Sequence, residues 1–186
     1  MLLALVSLAP FLPVTDFQPQ AYLGRWYQTY SDFAVDATFE NSSYCVTADY
    51  SMNDNGTISV ENRETQFSVN GPERRILGWA APATNDSSLG EYTVNLQTTH
   101  FPAPYWIYDL GPVQTYEDPF YGNQSQYAYS VVSDPLLLTL FVLARNVTEF
   151  HDVWEPAVLA RLEANGFNSF LNTPIATVQE GCSYSF

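Results

Sequence analysis

Short runs of β-branched and aromatic residues, separated by turn signals, are the feature that most constrains the fold of this 186-residue chain. Clusters of asparagine, glycine and proline, such as those at residues 53–56 and 70–72, interrupt the sequence at short intervals, as in hairpin-rich proteins. Eight strands are predicted, near residues 25–31, 43–52, 57–65, 74–81, 91–99, 104–110, 127–133 and 137–145. Because each strand leads by a turn into the next, the pattern predicts an all-β fold, an eight-stranded up-and-down antiparallel barrel.

One helix is predicted after the barrel, near residues 155–165, and it would pack against the outside. Pro156 suits the first turn of a helix, and Gly166 favours a stop. A short strand near residues 175–178 would follow. Since no repeat or linker divides the chain, residues 17–186 are predicted to form a single domain.

The N-terminal segment, residues 1–16, has two interpretations. Its first nine residues are apolar and end in Ser7-Leu8-Ala9, which places small residues where a signal peptidase cleaves. This favours a secretion signal, and an ordered N-terminal arm is the alternative. No apolar run reaches the roughly 20 residues that span a bilayer, so no transmembrane segment is predicted.

The negative charge of the chain excludes nucleic acids as partners. Twenty acidic residues against six basic ones give a net charge of −14, which repels the phosphates of nucleic acids and anionic lipid headgroups. All six basic residues are arginines, so no ligand or cofactor can be held as a lysine Schiff base.

Two further features indicate an extracellular protein. Five sequons for N-glycosylation are present, at Asn41, Asn55, Asn85, Asn123 and Asn146. The two cysteines form an even count that suits one disulfide in an oxidising compartment, with two buried free thiols as the alternative. We therefore expect a secreted glycoprotein.

Three segments carry a family resemblance. In Gly24-Arg25-Trp26, a glycine lies two residues before a tryptophan at the start of the first strand, and Arg145 ends the last strand. The run PAPYWIYD at residues 102–109 adds to this pair. Over residues 17–182 the chain resembles the lipocalin family, and within it the branch of apolipoprotein D and the bacterial outer-membrane lipocalins.

The resemblance implies that Gly24, Trp26 and Arg145 close one end of the barrel, with the guanidinium lying on the indole as a cation–π contact. It also implies a disulfide between Cys45 and Cys182. The second motif of the family, Thr-Asp followed by Tyr, is degraded here to Leu110-Gly111 and a long loop. The connection between the sixth and seventh strands is therefore where the chain departs from the family pattern.

Alternation of side chains along strands then predicts which residues line the barrel and bind a ligand. Counting by two from Trp26, Arg145 and an outward Cys45 yields Gln28, Tyr30, Val46, Ala48, Tyr50, Phe141 and Leu143, and pairing across the Asn55-Gly56 hairpin adds Val60 and Asn62. By resemblance the other strands add Ile76, Gly78, Tyr92, Val94, Leu96, Tyr105, Ile107, Ser130 and Val132. This apolar, aromatic lining suits a hydrophobic ligand, and a solid barrel core is the alternative.

The aromatic content favours one ligand class. Aromatic residues make up 16% of the chain, and flat rings stack on rigid polyenes at little entropic cost. We expect a noncovalently bound carotenoid or other isoprenoid pigment, with fatty acids, sterols, retinoids and bilins as alternatives. Haem is disfavoured because His100 is predicted on a mouth loop and His151 outside the barrel.

Catalysis is not expected. A lipocalin-type synthase would need a reactive thiol inside the barrel, and both cysteines are assigned to the disulfide. No catalytic residue, catalytic cofactor or metal site is predicted. A third class is an extracellular lipocalin with a filled barrel that binds proteins at its surface.

The closed end also determines which loops surround the open mouth: those at residues 32–42, 66–73, 100–103 and 133–136. A strand of about 7 residues spans on the order of 23 Å, which is shorter than a full carotenoid. The exposed end of such a ligand would be covered by a second subunit, as a homo- or heterodimer through the mouth. Candidate contacts are Phe33, Phe39, Phe67, Phe101 and an outward Trp79.

Overall fold

The structure is a computed structural model, and it describes residues 11–38, 40–87, 89–99 and 101–185. The predictions for the apolar start of the chain, Phe39 and His100 lie outside the described residues. Residues 11–16 lie against the barrel, where the Val14 amide donates to the Ile107 carbonyl at 2.8 Å.

Eight antiparallel strands close into a barrel, which confirms the predicted fold class. They are β1 (Gly24–Ser31), β2 (Ser43–Met52), β3 (Ile58–Gln66), β4 (Glu73–Pro82), β5 (Glu91–Leu96), β6 (Ala103–Leu110), β9 (Tyr129–Ser133) and β10 (Leu140–Ala144). Between β6 and β9, the strands β7 (Val113–Asp118) and β8 (Gly122–Tyr127) form a separate hairpin. The barrel closes where β1 pairs with β10, Tyr27 opposite Ala144. A short strand, β11 (Ile175–Ala176), extends the mouth end of β1.

The predicted long loop between the sixth and seventh barrel strands is wrong. That segment forms a separate two-stranded hairpin, β7 (Val113–Asp118) and β8 (Gly122–Tyr127), which folds at the closed end. Both strands are mostly polar and exposed, so neither shows the alternation of apolar residues that marks a half-buried strand. The turn between them uses Gly122 with φ +67°.

The predicted C-terminal helix is present as α4 (Glu155–Ala164), and its buried residues Val158 and Leu162 pack on the outside of the barrel. The helical run begins earlier than predicted. It starts with α3 (Val147–Glu149) and continues through a π-helical turn (Phe150–Trp154). The reason is the Asn146 side chain, which caps the run by accepting from the Glu149 amide at 3.0 Å.

Two short helices flank β1. The first, α1 (Pro19–Tyr22), leads into the closed end of the barrel. The second, α2 (Phe33–Thr38), lies at the mouth, where a loop was predicted. An Asp32 carboxylate oxygen accepts from the Val35 amide at 2.9 Å, and the Val35 side chain is fully buried. An aspartate cap and one apolar anchor therefore organise α2.

Alternation along the strands separates two apolar cores. Leu143 and Val132 belong to the core inside the barrel, whereas their neighbours Val142 and Val131 pack outward under α4. Within the described part of the chain, no helix is long and apolar enough to cross a membrane.

Candidate ligand cavity

The closed end is built around one guanidinium group. Arg145 lies 3.6 Å from the ring centroid of Trp26, so the structure brings together the two groups that the resemblance paired. Arg145 also donates to the carbonyl oxygens of Arg25 at 2.7 Å and Leu23 at 2.9 Å. Burial lowers the pKa of Arg145 to about 9, which leaves it charged at neutral pH.

The β7–β8 hairpin contributes a second part of the closed end that the sequence did not indicate. One Asp118 carboxylate oxygen accepts from the Arg25 amide at 2.8 Å and from the Gln126 side chain at 3.2 Å. Gln126 also donates to the Leu23 carbonyl at 2.7 Å. Gly24 has φ +93°, and a Cβ at this position would lie 2.0 Å from the Asp118 carboxylate. The family glycine is thus required by backbone conformation and by the close carboxylate.

Above the closed end, the barrel encloses a cavity of about 430 Å³ that extends to the mouth loops. The alternatives of a solid core and a filled barrel are therefore wrong. Fourteen of the predicted ligand-binding residues line this cavity: Gln28, Val46, Ala48, Tyr50, Val60, Asn62, Ile76, Tyr92, Val94, Leu96, Tyr105, Ile107, Phe141 and Leu143. Most of the wall is aliphatic or aromatic.

The predicted inward orientation of Tyr30 is wrong. The β1–β10 register shifts between Gln28 and Tyr30, and one irregular residue reverses the alternation beyond it. Tyr30 consequently packs outside the barrel against Phe150, and its hydroxyl donates to Glu155.

Three other predicted residues are not on the cavity wall. Val132 is buried in the inner core, and Ser130 is fully buried beneath the wall. Gly78 lies in register between Val60 and Leu96, and a Cβ there would lie 2.2 Å from the carbonyl oxygen of residue 95. Gly78 therefore permits a close approach of β5 but offers no side chain to a ligand.

A chain of hydroxyl groups crosses the floor of the cavity. Ser130 is 2.9 Å from the Tyr22 hydroxyl, which is 2.8 Å from the Tyr105 hydroxyl. Tyr105 in turn lies 3.1 Å from the Tyr50 hydroxyl. We call these four groups the hydroxyl chain. It runs from β9 through α1 and β6 to β2, so it connects separate parts of the barrel wall.

The mouth end of the cavity is more polar. Glu40 accepts from the buried Gln28 side chain at 2.5 Å, and Glu64 pairs with Arg74 at 2.7 Å. All four residues line the cavity. Burial raises the pKa of the Glu40 carboxyl to about 8, so this group is largely protonated at neutral pH.

Several of these lining residues were missed at the sequence level for different reasons. Glu64 and Arg74 continue the inward alternation of Asn62 and Ile76, so counting two residues further would have found them. Glu40 follows a helix that was not predicted, and no periodic signal marks it. Tyr22 precedes the first strand, outside the pattern used for counting.

The covalent and surface features follow the predictions in part. Cys45 and Cys182 form the expected disulfide, so neither is a free thiol. All five sequon asparagines are exposed, and the strand directions place four of them at the closed end. The exception is Asn41, which lies near the mouth. Whether these sites carry glycans stays a prediction.

Within residues 11–38, 40–87, 89–99 and 101–185, no group of three or more histidine, cysteine or acidic side chains could hold a metal ion. His151 lies outside the barrel and contacts Glu155 at 2.8 Å.

Comparison with known proteins identifies the family. Residues 17–174 match the lipocalin-like domain. The chain belongs to the lipocalin family. This lipocalin is 36% identical to apolipoprotein D from Mus musculus over 99 residues, which cover 53% of this chain and 49% of that protein. It therefore spans about half the length of that curated relative.

A bacterial relative and a solved structure extend the comparison. The lipocalin is 30% identical to the outer membrane lipoprotein Blc of Vibrio cholerae over 136 residues, covering 73% of this chain and 69% of Blc. Insecticyanin from the tobacco hornworm Manduca sexta superimposes with a TM-score of 0.61 at 16% identity, covering 95% of this chain and 89% of its own. At that identity the superposition shows the fold alone.

Proposed function

We propose that this lipocalin is a secreted carrier that holds a small hydrophobic ligand noncovalently inside its barrel. The observation that carries the proposal is the hollow, largely apolar cavity of about 430 Å³. Ligand sites in proteins usually measure about 300–1,000 Å³ and combine apolar walls with a few polar groups. Carriage of small hydrophobic ligands is also the general role of the family. We propose binding without catalysis, because both cysteines are joined to each other.

The ligand that we propose is a carotenoid or another isoprenoid pigment. Aromatic rings form part of the cavity wall, among them Phe17, Tyr92 and Phe141. Rigid polyenes lose little conformational freedom when they lie against such rings, whereas flexible acyl chains lose more. A bilin attached through a thioether is excluded because the disulfide uses both thiols.

Protein purified from its natural source tests this proposal. We expect an absorption band in the visible range that disappears after organic extraction, and an isoprenoid in the extract by mass spectrometry. Colourless protein that releases only flexible lipids would contradict the proposed pigment ligand but support the proposed carrier function. Native protein that contains no ligand and takes up no hydrophobic probe would contradict both.

A second ligand class, an apolar amine, is favoured by Glu40. This carboxyl lies on the cavity wall, and an ammonium group placed beside it would replace its proton and form an ion pair. Such binding would strengthen as pH rises towards the pKa of Glu40. Titration with hexadecylamine and with hexadecanol at pH 6 and pH 8 tests this, and equal affinities for the two probes at both pH values would reject it.

The mouth suggests a partner for the exposed end of a long ligand. Phe67 and Phe101 at the mouth are 72% and 81% exposed, and Phe33 is partly exposed. The predicted contact of Trp79 is wrong, because this residue lies in the closed-end half of β4, opposite Ser59. We propose that Phe33, Phe67 and Phe101 contact a second subunit when a ligand protrudes. Sedimentation of ligand-loaded protein should show a dimer that Phe67→Ser/Phe101→Ser disrupts, and a loaded monomer would contradict this contact.

A further inference from the structure

The hydroxyl chain leaves one proton without an acceptor inside the chain. Each hydroxyl has a single proton to donate, and four hydroxyls share three hydrogen bonds. One O–H therefore remains to donate elsewhere. A buried donor without an acceptor is unfavourable, so the cavity favours a molecule that brings an acceptor to this place.

Either atom of each hydrogen bond in the hydroxyl chain can be the donor, so the bonds can orient to leave the spare proton on Tyr50, which lines the cavity at the end opposite Ser130. Tyr22, Tyr50 and Tyr105 all line the cavity, whereas Ser130 lies behind the wall. Burial raises the pKa of all three tyrosines, that of Tyr50 to about 12, so the phenols keep their protons at neutral pH. The positive charge of Arg145 is close enough to act on Tyr22 and Tyr50, and it favours partial negative charge on a ligand atom bound there.

Building on the proposed carrier function, we propose that the hydroxyl chain is a subsite for a carbonyl oxygen on the terminal ring of the ligand. A ketone or aldehyde oxygen accepts a hydrogen bond, has no proton of its own to place, and carries no full charge that would have to be desolvated. A hydrocarbon end leaves the donor unsatisfied. With the carbonyl at the floor, the apolar remainder extends past Val94 and Phe141 towards the mouth.

Two carotenoids that share the same carbon skeleton test this subsite. Canthaxanthin carries a ketone on each ring, and β-carotene carries none. We expect the unaltered protein to bind canthaxanthin about five to ten times more tightly, which is the effect of one hydrogen bond. The variant Tyr22→Phe/Tyr50→Phe/Tyr105→Phe should bind the two carotenoids about equally, because neither end group then meets a hydroxyl donor, and its binding of β-carotene shows that its cavity is intact.

Tyr92→Phe is the matched control. Tyr92 lines the same cavity, but its hydroxyl donates to the carbonyl oxygen of residue 87 at 3.3 Å and takes no part in the hydroxyl chain. This variant should keep the full preference for canthaxanthin. Loss of the preference in Tyr92→Phe, or its retention in the triple variant, would overturn the subsite.

Vibrational spectroscopy answers the same question without a variant, should the triple variant fail to fold. The carbonyl stretch of canthaxanthin bound to the unaltered protein should lie at lower wavenumber than in an apolar solvent, and an unshifted band would overturn the subsite. Equal affinity for the two carotenoids would overturn the subsite and leave the carrier proposal intact. Binding of neither would instead overturn the proposed carotenoid ligand.

Discussion

The two ends of the barrel are stabilised in different ways. At the closed end, Arg145 and Asp118 satisfy backbone groups through short hydrogen bonds among tightly packed elements. At the mouth, large apolar side chains such as Phe101 are exposed, and a carboxyl with a raised pKa faces the cavity. The difference indicates that the closed end maintains the shape of the barrel. The mouth is the less stable end, and we expect ligands to enter and leave there.

The disulfide is a covalent restraint on the mouth half of the barrel. Cys45 lies in the mouth half of β2 and joins it to the C-terminal segment, across 137 residues of sequence. Replacing both cysteines by alanine should lower the free energy of unfolding by about 2–5 kcal/mol, because the unfolded chain is no longer constrained. Urea denaturation measures this loss.

Hydrogen exchange on the same variant sharpens the comparison between the ends. We expect amides of β11 and of residues 43–46 to lose protection first, while the amides of β1 near Trp26 keep theirs. Earlier loss of protection at the closed end would contradict the view that it is the more stable region.

Substitution of two glycines separates the effect of packing at the closed end from that of backbone conformation. Gly24 and Gly56 both have positive φ, +93° and +81°, but a Cβ at Gly56 would meet no atom within 4 Å. Gly56→Ala should cost about 1–2 kcal/mol from conformation alone. Gly24→Ala should cost about 3 kcal/mol or more, because its Cβ also collides with Asp118. Similar losses in thermal or urea unfolding would show that the contact with Asp118 is unimportant.

Stability should also depend on pH through Glu40. Its pKa is raised from 4.5 to about 8 in the folded protein, so folding favours the protonated form. The resulting stabilisation is complete below pH 4.5 and is lost as pH rises through 8. Glu40→Gln, which does not titrate, should therefore melt higher than the unaltered protein at pH 9 and similarly at pH 5. Parallel melting curves across this range would contradict burial of the carboxyl.

The smallest expected effect concerns the boundary of the cavity. Tyr30 packs outside the barrel, so Tyr30→Phe should change the affinity for a hydrophobic probe by less than about twofold. Phe141→Ala, which removes an aromatic ring from the cavity wall, should weaken binding by about tenfold. Fluorescence titration measures the affinity of both variants. A large effect of Tyr30→Phe would indicate that Tyr30 lies inside the barrel.

Most of the barrel was predictable because inward and outward residues alternate along regular strands. From the anchors Trp26 and Arg145, counting by two located Gln28, Phe141 and Leu143 on the cavity wall. The count failed at Tyr30, because the irregular pairing of β1 with β10 leaves no mark in the sequence.

The parts of the site outside regular strands were not predictable in the same way. Asp118 lies in a polar hairpin, where the sequence suggests a loop and offers no apolar face. Glu40 reaches the cavity because the chain at the end of α2 lies against it, a tertiary arrangement that no local pattern encodes. The hydroxyl chain likewise depends on four residues from separate elements, so only the folded structure shows that they meet.

The β7–β8 hairpin also affects the route by which a ligand would enter and leave the barrel. Because it packs against the closed end of the barrel from outside, it favours entry and release of the ligand through the mouth. The lifetime of a loaded carrier would then depend on the movements of the rim loops, and changes in those loops would alter delivery without altering which molecule is held.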